Sequence, residues 1–145
     1  MSAQDNERTV AQFNETFNAR DWEAAVALCT PDVELVTVPT GRSGYGAEGV
    51  RQFLQGWAAA FPDSRVETTK IIADDHSAML EFTGAGTHGG PLQTPNGDIP
   101  PTGRQVAVQF CQILELRDGK IARARLYFDS MSMLGQLGLV PVPGQ

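Results

Sequence analysis

The sequence predicts an α+β fold, with helices packed on one face of a curved, mostly antiparallel sheet and a cavity at the sheet's open end. Three observations lead there. Apolar residues recur at three- and four-residue spacing through the N-terminal part. From Arg65 onward the pattern changes to alternation over long runs. The order, helices first and a strand meander after them, favours segregated layers over a βαβ arrangement.

Taken in order, Val10, Phe13, Asn14 and Phe17 share one helical face, with Asp5 or Asn6 available as a cap. Asp21 is placed to cap a second helix carrying Trp22, Ala25, Val26 and Cys29, which Pro31 is expected to close. The run from Val33 to Val38 is rich in β-branched residues and predicts one early strand ending at Pro39. Thr40 to Gly46 contains three glycines and reads as a loop. A third helix follows, where Val50, Phe53, Leu54, Trp57 and Phe61 repeat at helical spacing until Pro62.

Strands are predicted over residues 65–73 and 77–87, joined by a turn at Asp74-Asp75-His76 that leaves His76 in solvent. Residues 84–103 hold six of the fifteen glycines and four of the nine prolines, so a long irregular excursion is expected there. Two long strands, 103–116 and 120–129, flank Asp118-Gly119, a strong signal for a tight hairpin. A short helix over 130–137 and an extended tail at Val140-Pro141-Val142-Pro143 complete the pattern. With no repeat and no linker, residues 1–145 read as a single domain with its core at about residues 8–140.

A chain of 145 residues can bury a sizeable core without metal or disulfide staples. A net charge of −6, a pI near 4.8 and scattered basic residues argue against nucleic-acid binding. No apolar run reaches membrane-spanning length, and the N-terminus lacks the pattern of a signal peptide, so a cytoplasmic location is expected. Cys29 and Cys111 then read as reduced thiols in apolar segments. Two histidines and no cysteine cluster predict no metal. The glycines of Gly84-Ala85-Gly86-Thr87-His88-Gly89 sit roughly where a dinucleotide loop has them, but no helix follows, so no cofactor is expected. Neither a G-x-S-x-G motif nor a catalytic-looking cysteine supports a nucleophilic triad.

Several segments together resemble the SnoaL-like polyketide cyclases, a branch of the ketosteroid isomerase-like superfamily. They are Gly44-Tyr45-Gly46-Ala47-Glu48-Gly49-Val50 with Trp57-Ala58-Ala59-Ala60-Phe61-Pro62-Asp63, then Gly86-Thr87-His88, and Pro100-Pro101-Thr102-Gly103-Arg104. Asp118-Gly119-Lys120-Ile121 through Tyr127-Phe128-Asp129 and the final Gln136-Leu137-Gly138-Leu139 complete the series. The resemblance implies a conical barrel with one deep pocket, a homodimer formed through the sheet, and cofactor-free acid–base chemistry on a small hydrophobic carbonyl compound. It also implies that Asp129, at the end of the last strand, is the general acid/base.

Alternation along the last strand groups Ile121, Arg123, Arg125, Tyr127 and Asp129 on one face, expected to form a pocket wall. In that arrangement Asp129 would move the proton, raised toward neutrality by apolar surroundings, while Arg125 or Tyr127 stabilises an enolate. His88 is a further polar candidate, and Tyr45, Phe53, Trp57 and Phe110 are expected around the substrate. Two alternatives stay open. One is epoxide hydrolysis by an Asp–Arg–Asp set that includes Asp129 and Arg125. The other is a non-catalytic, dimeric ligand-binding domain in which Asp129 only caps a helix.

Overall fold

The structure, a computed structural model, describes residues 2–141; part of the tail expected to be extended, Val142-Pro143, lies outside them. Helix α1 (Ala3–Ala19) starts at Ser2, whose hydroxyl accepts from the Asp5 amide while the Asp5 carboxylate accepts from the Ser2 amide. This reciprocal box, rather than a cap at Asp5 or Asn6, satisfies the free amides of the first turn. The helix ends at Arg20 in the left-handed region (φ 56°). From there the Arg20 guanidinium lies over the Phe17 ring and donates to the carbonyls of Phe17, Pro62 and Ser64. One side chain thus ties the end of α1 to the turn after α3.

Asp21 caps α2 (Trp22–Ala27) through the Ala24 amide. The chain then enters strand β1 (Cys29–Thr37) earlier than expected, and Pro31 lies within it. Proline is tolerated there because the pairing of β1 with β8 is interrupted between Cys29 and Glu34. The glycine-rich stretch that reads as a loop contains a short edge strand, β2 (Arg42–Tyr45). Helix α3 (Gly46–Ala60) crosses back over it, and Gly49 approaches Gly44 so closely that a β-carbon on either would press on the other's backbone.

Strands β3 (Arg65–Ala73) and β4 (Ser77–Thr87) form the expected pair, its turn held by the Asp74 carboxylate accepting from the His76 and Ser77 amides. The excursion after β4 contains a small separate hairpin, β5 (Leu92–Thr94) and β6 (Gly97–Ile99). Strands β7 (Gln105–Arg117) and β8 (Lys120–Phe128) follow, turning at Asp118 and Gly119, both at positive φ as a tight hairpin requires. Helix α4 (Ser130–Gln136) closes the described fold.

The main sheet has six strands in the order β2-β1-β8-β7-β4-β3. All neighbours are antiparallel except β1 and β8, and the sheet does not close: β2 and β3 remain its edges. Helices α1 and α3 lie on the concave face. Val10, Phe13 and Phe17 from α1, with Val50 and Leu54 from α3, meet Leu80, Leu114, Ala124 and Leu126 of the sheet in one core. The Asn18 carboxamide docks α1 on β3 by accepting from the Val66 amide and donating to the Val66 carbonyl.

Alternation in β8 differs from the simple reading. Glu115 of β7 pairs with Arg123, but the next residue, Leu116, pairs with Ile121, so Ala122 is an extra residue. Such a bulge changes which residues share a face. Ile121 is fully buried and joins Ala124, Leu126 and Phe128 on the inner side, whereas Arg123, Arg125 and Tyr127 point outward. The expected pocket wall is therefore the outer surface of the sheet, and the apolar row faces in.

Candidate functional site

Between the helices and the sheet lies a cavity of about 70 Å³. A single water needs roughly 10–15 Å³ on the same measure, so the space exceeds a packing defect. Rings from the sheet (Phe82, Phe110) and from the helices (Phe13, Phe17, Phe53, Trp57, Phe61) form much of its wall. Phe82 and Phe110 stack at 5.1 Å between centroids, and Phe110 leans on Phe128 at 5.2 Å. The Trp57 indole meets the edges of Phe110 and Phe128 at 5.8 and 5.6 Å. Gly84 makes room for this arrangement, since a β-carbon there would touch the Phe110 ring.

Two carboxamides interrupt this apolar wall. Strand β7 directs Val106, Val108, Phe110, Leu114 and Leu116 inward with Gln112 among them. Gln112 is 3% exposed and lines the cavity. On α1, Asn14 also lines the cavity; its amide donates to the Thr68 hydroxyl at 2.9 Å. A carboxamide in an apolar wall can donate to or accept from a ligand with a matching polar atom. Neither residue was singled out chemically from the sequence. The available signal was the polar break each makes in an otherwise apolar row, at Gln112 in β7 and at Asn14 on the α1 face.

Of the residues expected around a substrate, Phe53, Trp57 and Phe110 line this cavity. Tyr45 does not: it precedes α3 and is 64% exposed. Arg125 and Tyr127 are on the outer face, where Arg125 pairs with Glu115 at 3.3 Å and Arg123 with Glu34 at 2.8 Å. The second aspartate of an Asp–Arg–Asp set is not beside Arg125; its acidic partner is Glu115. Asp129 is exposed and caps α4, one carboxylate oxygen accepting from the amides of Met131 (2.9 Å) and Ser132 (3.2 Å). The cap orients α4 so that Met133 closes one side of the cavity. Farther along α4, Gln136 clasps the Ala107 backbone by accepting from its amide and donating to its carbonyl.

His88 is fully buried but outside the cavity, its ring 5.4 Å from that of Phe61, which does line it. The Thr102 amide donates to Nδ1, which places the ring proton on Nε2. Nε2 has no hydrogen-bond partner among the described residues. Burial pushes the imidazole below its ordinary value, an effect the nearby Gly90 carbonyl opposes. His88 locks the loop: its backbone exchanges hydrogen bonds with Arg104 and Gly103, while Gly89 and Gly90 donate to the Ala60 carbonyl at the end of α3. A β-carbon at Gly90 would drive into the Ala59 carbonyl, so this loop sits directly on the helix.

No carboxylate lines the cavity among the described residues, and Arg65, near the rim, is its one charged side chain. No group of three or more His, Cys, Asp or Glu able to hold a metal occurs among them either. The Cys29 thiol is buried, pushed up to about 12 by desolvation, and donates to the Ala25 carbonyl; Cys111 is half-buried on the outer face, and both are free. No described helix is long and apolar enough to cross a membrane.

The arrangement of helices on an open, cone-like sheet recurs in solved structures. AclR from Streptomyces galilaeus superposes with a TM-score of 0.81 at 24% identity, covering 99% of this chain and 87% of its own. TsrD from Streptomyces laurentii gives 0.82 at 22% identity, covering 97% and 99%. A SnoaL-like protein from Jannaschia sp. CCS1 gives 0.80 at 18%, covering 96% and 95%. At these identities the likeness concerns the fold alone. Among curated protein sequences no significant match is found. The profile of the SnoaL-like polyketide cyclases, however, matches residues 7–137, nearly the whole described fold. The chain belongs to the SnoaL-like polyketide cyclase family.

Proposed function

We propose that the protein binds a small hydrophobic carbonyl compound in the aromatic cavity, with the Gln112 carboxamide donating to the carbonyl oxygen. One observation carries this reading: a buried carboxamide, Gln112, lines a largely apolar space. Flat rings in the wall favour a flat ring in the ligand, through edge and offset contacts worth about 0.5–1.5 kcal/mol each. Membership of a cyclase family supports carbonyl chemistry at this position. Proton abstraction beside the carbonyl would need a base within hydrogen-bond reach, and the lining side chains offer two neutral amides instead. The reading is therefore binding and polarisation of the carbonyl, not proton transfer by Asp129.

The outer sheet face supports a second proposal, a homodimer. Ile72 and Tyr127 are 54% and 41% exposed there, with half-buried Met79, Cys111 and Ile113 between them. An apolar patch bearing the Glu115–Arg125 pair is suited to self-association across a two-fold axis.

Three outcomes are expected. Wild-type protein should bind 1-tetralone, a bicyclic ketone, about tenfold more tightly than tetralin, the value of one neutral hydrogen bond. Gln112→Leu should bind both alike and melt no lower than wild type, since leucine fills similar volume in a largely apolar wall without a donor for the carbonyl. Calorimetric titration and thermal unfolding read both, and a leucine variant that keeps the ketone preference would remove Gln112 from the site. Next, Asp129→Asn should bind tetralone as wild type does, because asparagine caps a helix equally well, whereas Asp129→Ala should lose about 1 kcal/mol of stability. Loss of tetralone binding in the asparagine variant would return Asp129 to the site. Finally, light scattering at micromolar concentration should give twice the chain mass, and Tyr127→Glu should halve it; a wild-type monomer would refute the dimer.

A further inference from the structure

The cavity is not the whole of the space beside α3. Phe53, Trp57 and Met133 form a wall common to the inner cavity and to a second, open groove of about 1060 Å³. The groove runs between α3, the ends of β1 and β2, α4 and the β5–β6 hairpin. Its chemistry is different. Gln52 and Gln55 project from the exposed face of α3, Gln93 and Asn96 from the hairpin, and Thr37 and Ser43 from the strands. Thr40, Thr94 and Ser130 add further hydroxyls among apolar side chains, and the charged residues of the lining are two of opposite sign, Arg42 and Asp98. Arg42 donates to Gln93 at 2.7 Å, so it is engaged in holding the hairpin beside β2.

From this juxtaposition we infer that the groove is an outer subsite for an uncharged, hydroxyl-rich substituent of the same ligand. The ligand would be amphipathic: a flat ring in the aromatic cavity and a hydroxylated end among the amides outside. The inference rests on the reading of the inner cavity as a carbonyl site. Carboxamides and hydroxyls each donate and accept, which matches alcohol groups and gives no preference to an ion. Opposite charges on Arg42 and Asp98 leave no net field to draw a charged group. Because the two spaces share a wall, a molecule spanning both gains the second set of contacts without a second loss of translational freedom. Trp57, edge-on to Phe110 and Phe128, stands at the junction.

The test compares neutral 2-naphthol, 2-naphthyl β-D-glucoside and 2-naphthyl sulfate, with 1-tetralone as the probe of the inner cavity, by calorimetric titration of the intact protein. The glucoside should bind at least about tenfold more tightly than 2-naphthol, and the sulfate no more tightly than 2-naphthol. The double variant Gln52→Ala/Gln55→Ala, on an exposed helical face where alanine preserves the helix, should lose the glucoside's advantage and bind tetralone unchanged. A glucoside no tighter than 2-naphthol, with tetralone binding intact, would overturn the outer subsite and leave the inner site standing. A sulfate tighter than the glucoside would overturn it as well, by showing a site for anions. Absence of tetralone binding in the wild type would overturn both.

Discussion

The phase of the β-pleat in β7 and β8 decides what this molecule can do. Ala122 is the extra residue that lets Ile121, Ala124, Leu126 and Phe128 all turn toward the helices. With that phase, Arg123, Arg125 and Tyr127 face away from the helices, where their ion pairs with Glu34 and Glu115 are half-solvated and contribute little to stability. The same phase in β7 leaves Gln112 as the polar member of the inward row. Shifting either strand by one residue would put charges in the cavity and leave the aromatic rings outside. The site is thus a consequence of register, and the helices complete it by packing Trp57 and Phe53 over the sheet.

Most of the architecture is legible in the sequence because it rests on local signals. Strands β3 and β4 follow from two strand-like runs around the Asp74-Asp75-His76 turn, the last hairpin from Asp118-Gly119, and α3 from apolar spacing between Val50 and Phe61. The misses have physical causes. Strand β2 and the β5–β6 hairpin are short and rich in glycine and proline, so tertiary pairing, not propensity, makes them strands. Pro31 reads as a helix terminator, yet it sits in a strand whose pairing is already interrupted. The bulge at Ala122 leaves no mark in residue type and moves only Ile121 to the other face; Arg125 and Tyr127 share a face as alternation predicts, but that face turns outward because the apolar row of Ala124, Leu126 and Phe128 is the one buried against the helices. The site residues Asn14 and Gln112 were visible as polar breaks in apolar rows, a pattern that reads as a blemish until the cavity is seen.

A buried carboxamide in a largely apolar wall sets stability against binding. Leucine at position 112 would be the better choice for folding alone, which gives a carboxamide there a functional rationale. The fold supports that choice with rigid surroundings. Asp129 and Gln136 hold α4 over one side of the cavity, Arg20 fastens α1 near another, and His88 locks its loop behind Phe61. Each of these polar residues acts outside the cavity. Its lining is left with apolar side chains, two amides, the Ser64 hydroxyl and the permanently charged Arg65, an environment that changes little with pH.

That last property is the most direct test of the account. Binding of 1-tetralone, itself without a titrating group, should be measured from about pH 5.5 to 8.5 at constant ionic strength, the range in which a carboxylic acid raised toward neutrality or an accessible imidazole would titrate. The account predicts a dissociation constant that stays within about twofold, because no group lining the cavity changes charge there and His88 lies outside it. A change of about tenfold or more, centred between pH 5.5 and 7 and abolished in Asp129→Asn, would contradict it by showing that a carboxylate belongs to the site.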